Sequence, residues 1–267
     1  VSFYADLSGL PPIAEQHADP DRLFGELQHV IIGAIAGHPR SQQTRIGPSE
    51  IGTPCTRRLA HKLAGTPEVN ERGPAWRPTV GTAVHEWLAD KFIQDNARHD
   101  PARWLVEFKV NAGMVGDQVL DGSCDLYCRV TDTVVDWKVV GATALKKYRK
   151  DGPGEQYRIQ AHTYALGWER RGMPVRRVAL VFLPSAGELT DAVFWHEPYA
   201  PDVATAAIDR ATLVARLVGQ GGSHAAAALP TADAWCSYCP WHLPAATDLT
   251  EACPGHREPA AALNAVA

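Results

Sequence analysis

Apolar positions recur at helical spacing over residues 21–36, where Leu23, Phe24, Leu27, Val30, Ile31 and Ala34 follow acidic residues suited to a helix start. His38-Pro39-Arg40 ends that run, and Pro48-Ser49-Glu50-Ile51 opens a second helical region through Cys55 to Leu63. A loop rich in Gly, Pro and charge reaches Pro78, and residues 79–96 then read as an amphipathic helix carrying His85. The spacing changes to alternation over 104–110, 118–130 (with an irregularity at Gly122) and 133–140, which predicts an antiparallel meander. A helix over 155–171, strands over 175–183 and 188–196, and a helix over 202–218 follow. Residues 219–233, rich in Gly and Ala, read as a linker to a cysteine-bearing tail, and 259–267 as a frayed end.

This order of elements predicts an α/β chain with a mixed central sheet flanked by helices. Its 267 residues, 45% of them apolar, suffice to bury one large core and leave room for a small appended module. No stretch approaches the roughly 20 apolar residues of a membrane span, and the opening Val1 to Asp6 has no basic region followed by an apolar block. The expectation is a soluble, intracellular protein with no membrane partner. A net charge of −4 makes no global case for nucleic-acid binding, so any such role must rest on local patches.

The chemistry concentrates in Val134-Val135-Asp136-Trp137-Lys138-Val139-Val140, a strand apolar enough for a core except for an acid and a lysine two residues apart. Strand geometry turns both to one face, where burying them is costly unless they are paired or hold an ion. Asp125 lies on the preceding strand, and a hairpin around Thr131-Asp132 brings it beside Asp136. Two carboxylates and a lysine at the centre of a sheet suit Mg²⁺ or Mn²⁺, with the ammonium steadying a hydroxide or a phosphate. The competing reading is a structural ion pair at a strand end.

These segments resemble the PD-(D/E)xK superfamily and, within it, the RecB-type nucleases, especially the CRISPR-associated RecB-type iron-sulfur exonucleases and their phage relatives. Gly81-Thr82-Ala83-Val84-His85-Glu86 resembles the helix with the metal-binding histidine, and Gly122 to Asp125 the Gly-x-x-Asp motif. Asp136-Trp137-Lys138 resembles the D/E-x-K core, and Gln160-Ala161-His162-Thr163-Tyr164 the Gln-x-x-x-Tyr motif of the RecB branch. The resemblance implies a restriction-endonuclease-like fold and a DNA exonuclease in recombination, repair or phage DNA processing. It implies metal ligation by His85, Asp125, Asp136 and the backbone carbonyl of Trp137, a lysine at 138 that positions the attacking water, and Gln160 and Tyr164 orienting the substrate strand or the lysine. Glu107 falls where some relatives carry an extra acid, and reads equally as a solvated strand carboxylate. On this basis residues 1–78 form an N-terminal helical region supplying Cys55, 79–220 the nuclease core and 221–267 a C-terminal cysteine-cluster segment.

Cys236-Ser237-Tyr238-Cys239 is a C-x-x-C pair, and Cys253 follows after a loop. With His256 or His242 these could make a local zinc site. The other reading takes Cys55, because the segment from Pro48 to Leu59 resembles the one that supplies the first cysteine of iron-sulfur RecB-type nucleases. Four thiolates from Cys55, Cys236, Cys239 and Cys253 suit a [4Fe-4S] cluster, and this reading is preferred. Cys124 and Cys128, four apart on a strand, are expected to share a face opposite Asp125 as buried small hydrophobes.

Lys146-Lys147-Tyr148-Arg149-Lys150 reads as a basic loop beside the hydrolytic site, placed to neutralise phosphates of DNA; Arg57, Arg58 and Lys62 form a second such patch. The alternative for the whole chain is a non-catalytic nucleic-acid-binding or assembly module on a nuclease-like fold. The intact Asp125, Asp136 and Lys138 argue against it.

Overall fold

A computed structural model describes residues 20–37, 45–70 and 73–256. The chain divides into two compact units, 1–42 and 43–267, so Cys55 and the C-terminal cysteines fall in the same unit as the sheet. In the first unit α1 (Pro20–Gly37) is an 18-residue helix with Leu23, Phe24, Leu27, Val30 and Ile31 exposed. The end expected at His38 and the frayed tail over 259–267 lie outside the described residues.

In the second unit the helical region expected from Pro48 to Leu63 is two helices, α2 (Pro48–Ile51) and α3 (Thr56–Ala64). Gly52 is the C-cap of the first and packs on Gln156, where a Cβ would stand 2.9 Å from the carbonyl oxygen. Cys55 begins the second as its N-cap, its Sγ accepting the Arg58 backbone N–H at 3.4 Å. The next helix, α4 (Trp76–Asp95), starts three residues earlier than predicted and has no fully buried residue.

Five strands form one mixed sheet in sequential order: β1 (Trp104–Val115), β2 (Gln118–Cys128), β3 (Thr133–Val140), β4 (Arg177–Pro184) and β5 (Val193–Pro198). The first three make the predicted antiparallel meander, and β1 runs five residues beyond its expected end. The crossover through α5 (Ala142–Asp151) and α6 (Glu155–Arg170) makes β4 parallel to β3, and β5 returns antiparallel. Residues 189–191, expected within the last strand, form a 3₁₀ turn instead.

Three departures matter for the site. The basic run 146–150 is not a loop but part of α5, with Leu145 buried and Lys146, Lys147, Arg149 and Lys150 exposed. The predicted linker 219–233 is helical through Ala228, because α7 (Pro201–Ala228) continues past a kink at Gly222. Burial of Ala226 in the cluster that α7 shares with α3 and β1 holds the continuation in place.

The third departure is a change of face in β1 and β2. Cys124 packs with Tyr164 and Trp168 beneath α6, whereas Leu126, two residues on, packs with Val135 and Ala179 against Phe92 of α4. Residues two apart on a regular strand share a face. Opposite them, Phe108 meets Trp168 while Val106 joins the α4 side, and Glu107 between them takes a left-handed φ of 49°. The register from Val106↔Leu126 to Phe108↔Cys124 is preserved, so both strands turn over together at Glu107 and Asp125. Cys124 and Cys128 are both buried, as expected, but Cys128 alternates with Tyr127 of the α6 side and so does not share the face of Cys124.

Candidate metal centre and cysteine cavity

The β2–β3 ladder runs from Cys128↔Thr133 to Leu126↔Val135 and stops, leaving Asp125 and Asp136 as the next residues on the two strands. Beyond that point the strands are joined by a side chain: Asp125 Oδ2 accepts the Trp137 backbone N–H at 2.8 Å. Both acids are buried, Asp136 at 1% exposure. Lys138 and Asp136 share a face as predicted, with Nζ 2.5 Å from Oδ2, and Gln160 Nε2 donates to Asp136 Oδ1 at 2.8 Å.

From the opposite face α4 delivers His85. Phe92, two helical turns on, stacks on the Trp137 ring at 5.5 Å and meets Trp104 edge-on at 5.1 Å, docking the helix on β3 and β1. His85 Nδ1 then stands 3.3 Å from Asp125 Oδ1. Glu107, directly across the register from Asp125, completes a group with His85 and Asp125 whose ligand atoms lie within 4.8 Å of one another. Its Oε2 also accepts the Ser123 hydroxyl at 2.7 Å.

The electrostatics follow from burial. Desolvation, reinforced by the charge of Asp125 and opposed by Lys138, pushes Asp136 up to about 6. Burial works against a charged His85, but the hydrogen bond and charge of Asp125, with Asp136 behind it, outweigh burial and raise its pKa. Asp136 Oδ2 and His85 Nδ1 are buried with only their ion-pair contacts to Lys138 and Asp125, and Gln160 Oε1 is buried without a hydrogen-bond partner. Carboxylates and under-satisfied acceptors grouped this way are what a hard divalent cation satisfies, so these residues fit Mg²⁺ or Mn²⁺.

Helix α6 lines the site with residues 157, 160 and 164, which share one face. Tyr164 is the last of the three. It is buried against Gly122, where an added Cβ would meet its ring at 3.3 Å and Pro48 at 3.0 Å, which explains the glycine three residues before Asp125. The aromatic ring at the lysine is Tyr157, 5.1 Å from Nζ to the centroid. Its spacing of three from Gln160, which puts it on the same helical face, is the one signal of it in the sequence.

Cys55, Cys236, Cys239 and Cys253 line one cavity, together with His61, His242 and His256. All are free thiols. Cys236 Sγ accepts the His256 backbone N–H at 3.3 Å, and Arg57 Nη1 approaches Cys253 Sγ at 3.9 Å. Arg57 Nε donates to the Leu229 carbonyl and Arg58 Nη1 to that of Ala234, which commits both guanidiniums to the chain's own C-terminal segment. His61 was not anticipated. It is fully buried, stacked on Trp241, with Nδ1 3.1 Å from the Thr66 hydroxyl and Nε2 without a partner.

A profile of the PD-(D/E)XK nuclease superfamily matches residues 2–243. The chain belongs to this superfamily. Its members use divalent metals such as Mg²⁺ or Mn²⁺, in keeping with the His85, Glu107 and Asp125 group. No protein of curated function matches the chain. Among solved structures, the crystal structure of SSO0001 is similar over 81% of this chain and 92% of its own, with 16% identity and a TM-score of 0.49. That likeness is too distant to carry anything across. No described helix of this nuclease-family chain is long and apolar enough to cross a membrane.

Proposed function

We propose that the protein is a metal-dependent deoxyribonuclease that acts as an exonuclease on DNA ends or single strands, in recombination, repair or phage DNA processing within a bacterial or phage-infected cell. The observation that carries the reading is the convergence of Asp125, Asp136 and His85 where the β2–β3 ladder ends, with the Lys138 ammonium 2.5 Å from Asp136. A lysine beside buried acids in an under-satisfied pocket has no evident purpose in a binding module.

His85, Asp125, Asp136 and the Trp137 carbonyl would hold Mg²⁺ or Mn²⁺, and Glu107, grouped with His85 and Asp125, would add a fifth donor. When bound, the cation polarises the phosphate and lowers the pKa of a water. Lys138 steadies the attacking water and the charge that develops on the phosphate, and Gln160 fixes the Asp136 carboxylate in one orientation. Tyr164 keeps Gly122, and so Asp125, in place. The exposed Lys146, Lys147, Arg149 and Lys150 of α5, which only Gly141 separates from β3, receive the DNA backbone.

The four cysteines around one cavity support a [4Fe-4S] cluster that clamps α3 to the C-terminal segment.

Purified full-length protein incubated with end-labelled single- and double-stranded DNA and Mn²⁺ is expected to release nucleotides, and Asp136→Ala to release none. Cleavage that survives Asp136→Ala would overturn the assignment.

A further inference from the structure

We propose that Tyr157, braced by Tyr148 and Phe182, is a positioning residue for Lys138. The proposal rests on the nuclease reading, in which Lys138 is the catalytic lysine.

Lys138 has two supports of different kinds. Asp136 Oδ2 holds it at 2.5 Å by charge, and the Tyr157 ring lies beneath it with the centroid 5.1 Å from Nζ. The first support weakens when the site is in use, because a cation on Asp136 competes for the same oxygen and repels the ammonium. The face of an aromatic ring attracts the ammonium without competing for the cation, and it consumes none of the three N–H donors in a directed hydrogen bond. The lysine can therefore stay beside the metal pocket with donors to offer to water and phosphate.

The ring is itself fixed from three elements. Tyr157 is on α6 and half-buried; Tyr148 of α5 meets it edge-on at 5.9 Å. Tyr148 in turn stacks on Phe182 of β4 at 4.3 Å, with 23° between planes. Phe182 is fully buried and pairs in register with Lys138 across the parallel β3–β4 ladder. The floor under the lysine is therefore built on the strand next to it. Tyr148 is also the one residue of the run Lys146-Lys147-Tyr148-Arg149-Lys150 that is not exposed. The helix that presents the basic face is thus anchored on the ring that supports the lysine.

The test compares Tyr157→Phe, which keeps the ring face, with Tyr157→Leu and Tyr157→Met, which lose it. Each is made in the full chain and measured for steady-state cleavage of a labelled oligonucleotide at saturating Mn²⁺. The expected result is a kcat about tenfold lower in the Leu and Met variants with KM within about twofold, and a Phe variant close to wild type. Melting temperature and Mn²⁺ affinity by calorimetry should be equal in the Phe and Met variants. Three results overturn the proposal: wild-type kcat in the Leu and Met variants, equal losses in Phe and Met, or a loss that tracks lowered melting temperature or metal affinity. A wild-type protein that cleaves no DNA removes the nuclease reading and this role with it. Cleavage that is abolished by Asp136→Ala yet indifferent to Tyr157→Met removes the role alone.

Discussion

Asp125 Oδ2 accepts the backbone N–H of Trp137 at 2.8 Å, so a side chain of β2 takes over from the main-chain ladder where the two strands part. The same carboxylate presents Oδ1 to His85, which makes Asp125 both a strand tie and a proposed metal ligand. Asp125→Asn keeps an acceptor for Trp137 but loses the charge, whereas Asp125→Ala loses both. Calorimetry with Mn²⁺ should find binding lost in both variants. Urea unfolding without metal should place Ala below Asn by about 1–3 kcal/mol, the cost of an unmet N–H. Equal stabilities would show that the tie contributes nothing.

The exposed basic face of α5 predicts a salt effect. Lys146, Lys147 and Lys150 changed together to Ala, in an Asp136→Ala background that stops cleavage, should flatten the dependence of log K on log salt by about 2 for single-stranded DNA. Fluorescence anisotropy at several salt concentrations measures this. An unchanged slope would remove α5 from the DNA path.

The cysteine cavity draws one of its four thiols from the N-cap of α3, far from the other three in sequence. Anaerobically purified wild type should therefore be coloured and contain iron, and Cys55→Ser should lose both colour and iron. A colourless, zinc-loaded protein that keeps its metal in Cys55→Ser would instead favour a site formed within residues 236–256.

His61 lends the fold a pH dependence. Burial between Trp241 and the cysteine cavity, followed by the charge of Arg57, lowers its pKa from 6.5 to about 4. As pH falls through 6.5 the unfolded chain takes up a proton that the folded chain refuses until about 4, so unfolding becomes easier across that window. Above 6.5 both states are neutral and this residue adds no slope. The loss by pH 4 is on the order of 3 kcal/mol. Urea unfolding at pH 7.5, 5.5 and 4.5 should show a flatter profile in His61→Phe than in wild type; parallel profiles would contradict the shift.

Much of the site could be read in the order of residues alone. Alternation in β3 put Asp136 and Lys138 on one face, and the hairpin before it brought Asp125 alongside, because both follow from a repeat of two and a short turn. The helical spacing of Gln160 and Tyr164 was equally local. Their partners were not, since what a side chain touches depends on elements distant in sequence. Tyr164 supports Gly122, and Tyr157 is the ring at the lysine.

Where local preference and packing disagree, only the tertiary structure decides. Gly219, Gly221 and Gly222 signal a linker, yet α7 carries on because Ala226 has a buried place to fill. Alternation in β1 and β2 predicts one face for Cys124 and Leu126, yet the strands turn over at Glu107, in a left-handed conformation that no residue preference announces. Local order is enough to name the acids, the lysine and the cysteines and to group the first three by the strand repeat. The tertiary structure decided which residues meet them, because burial and register reward contacts between segments that no local period can report.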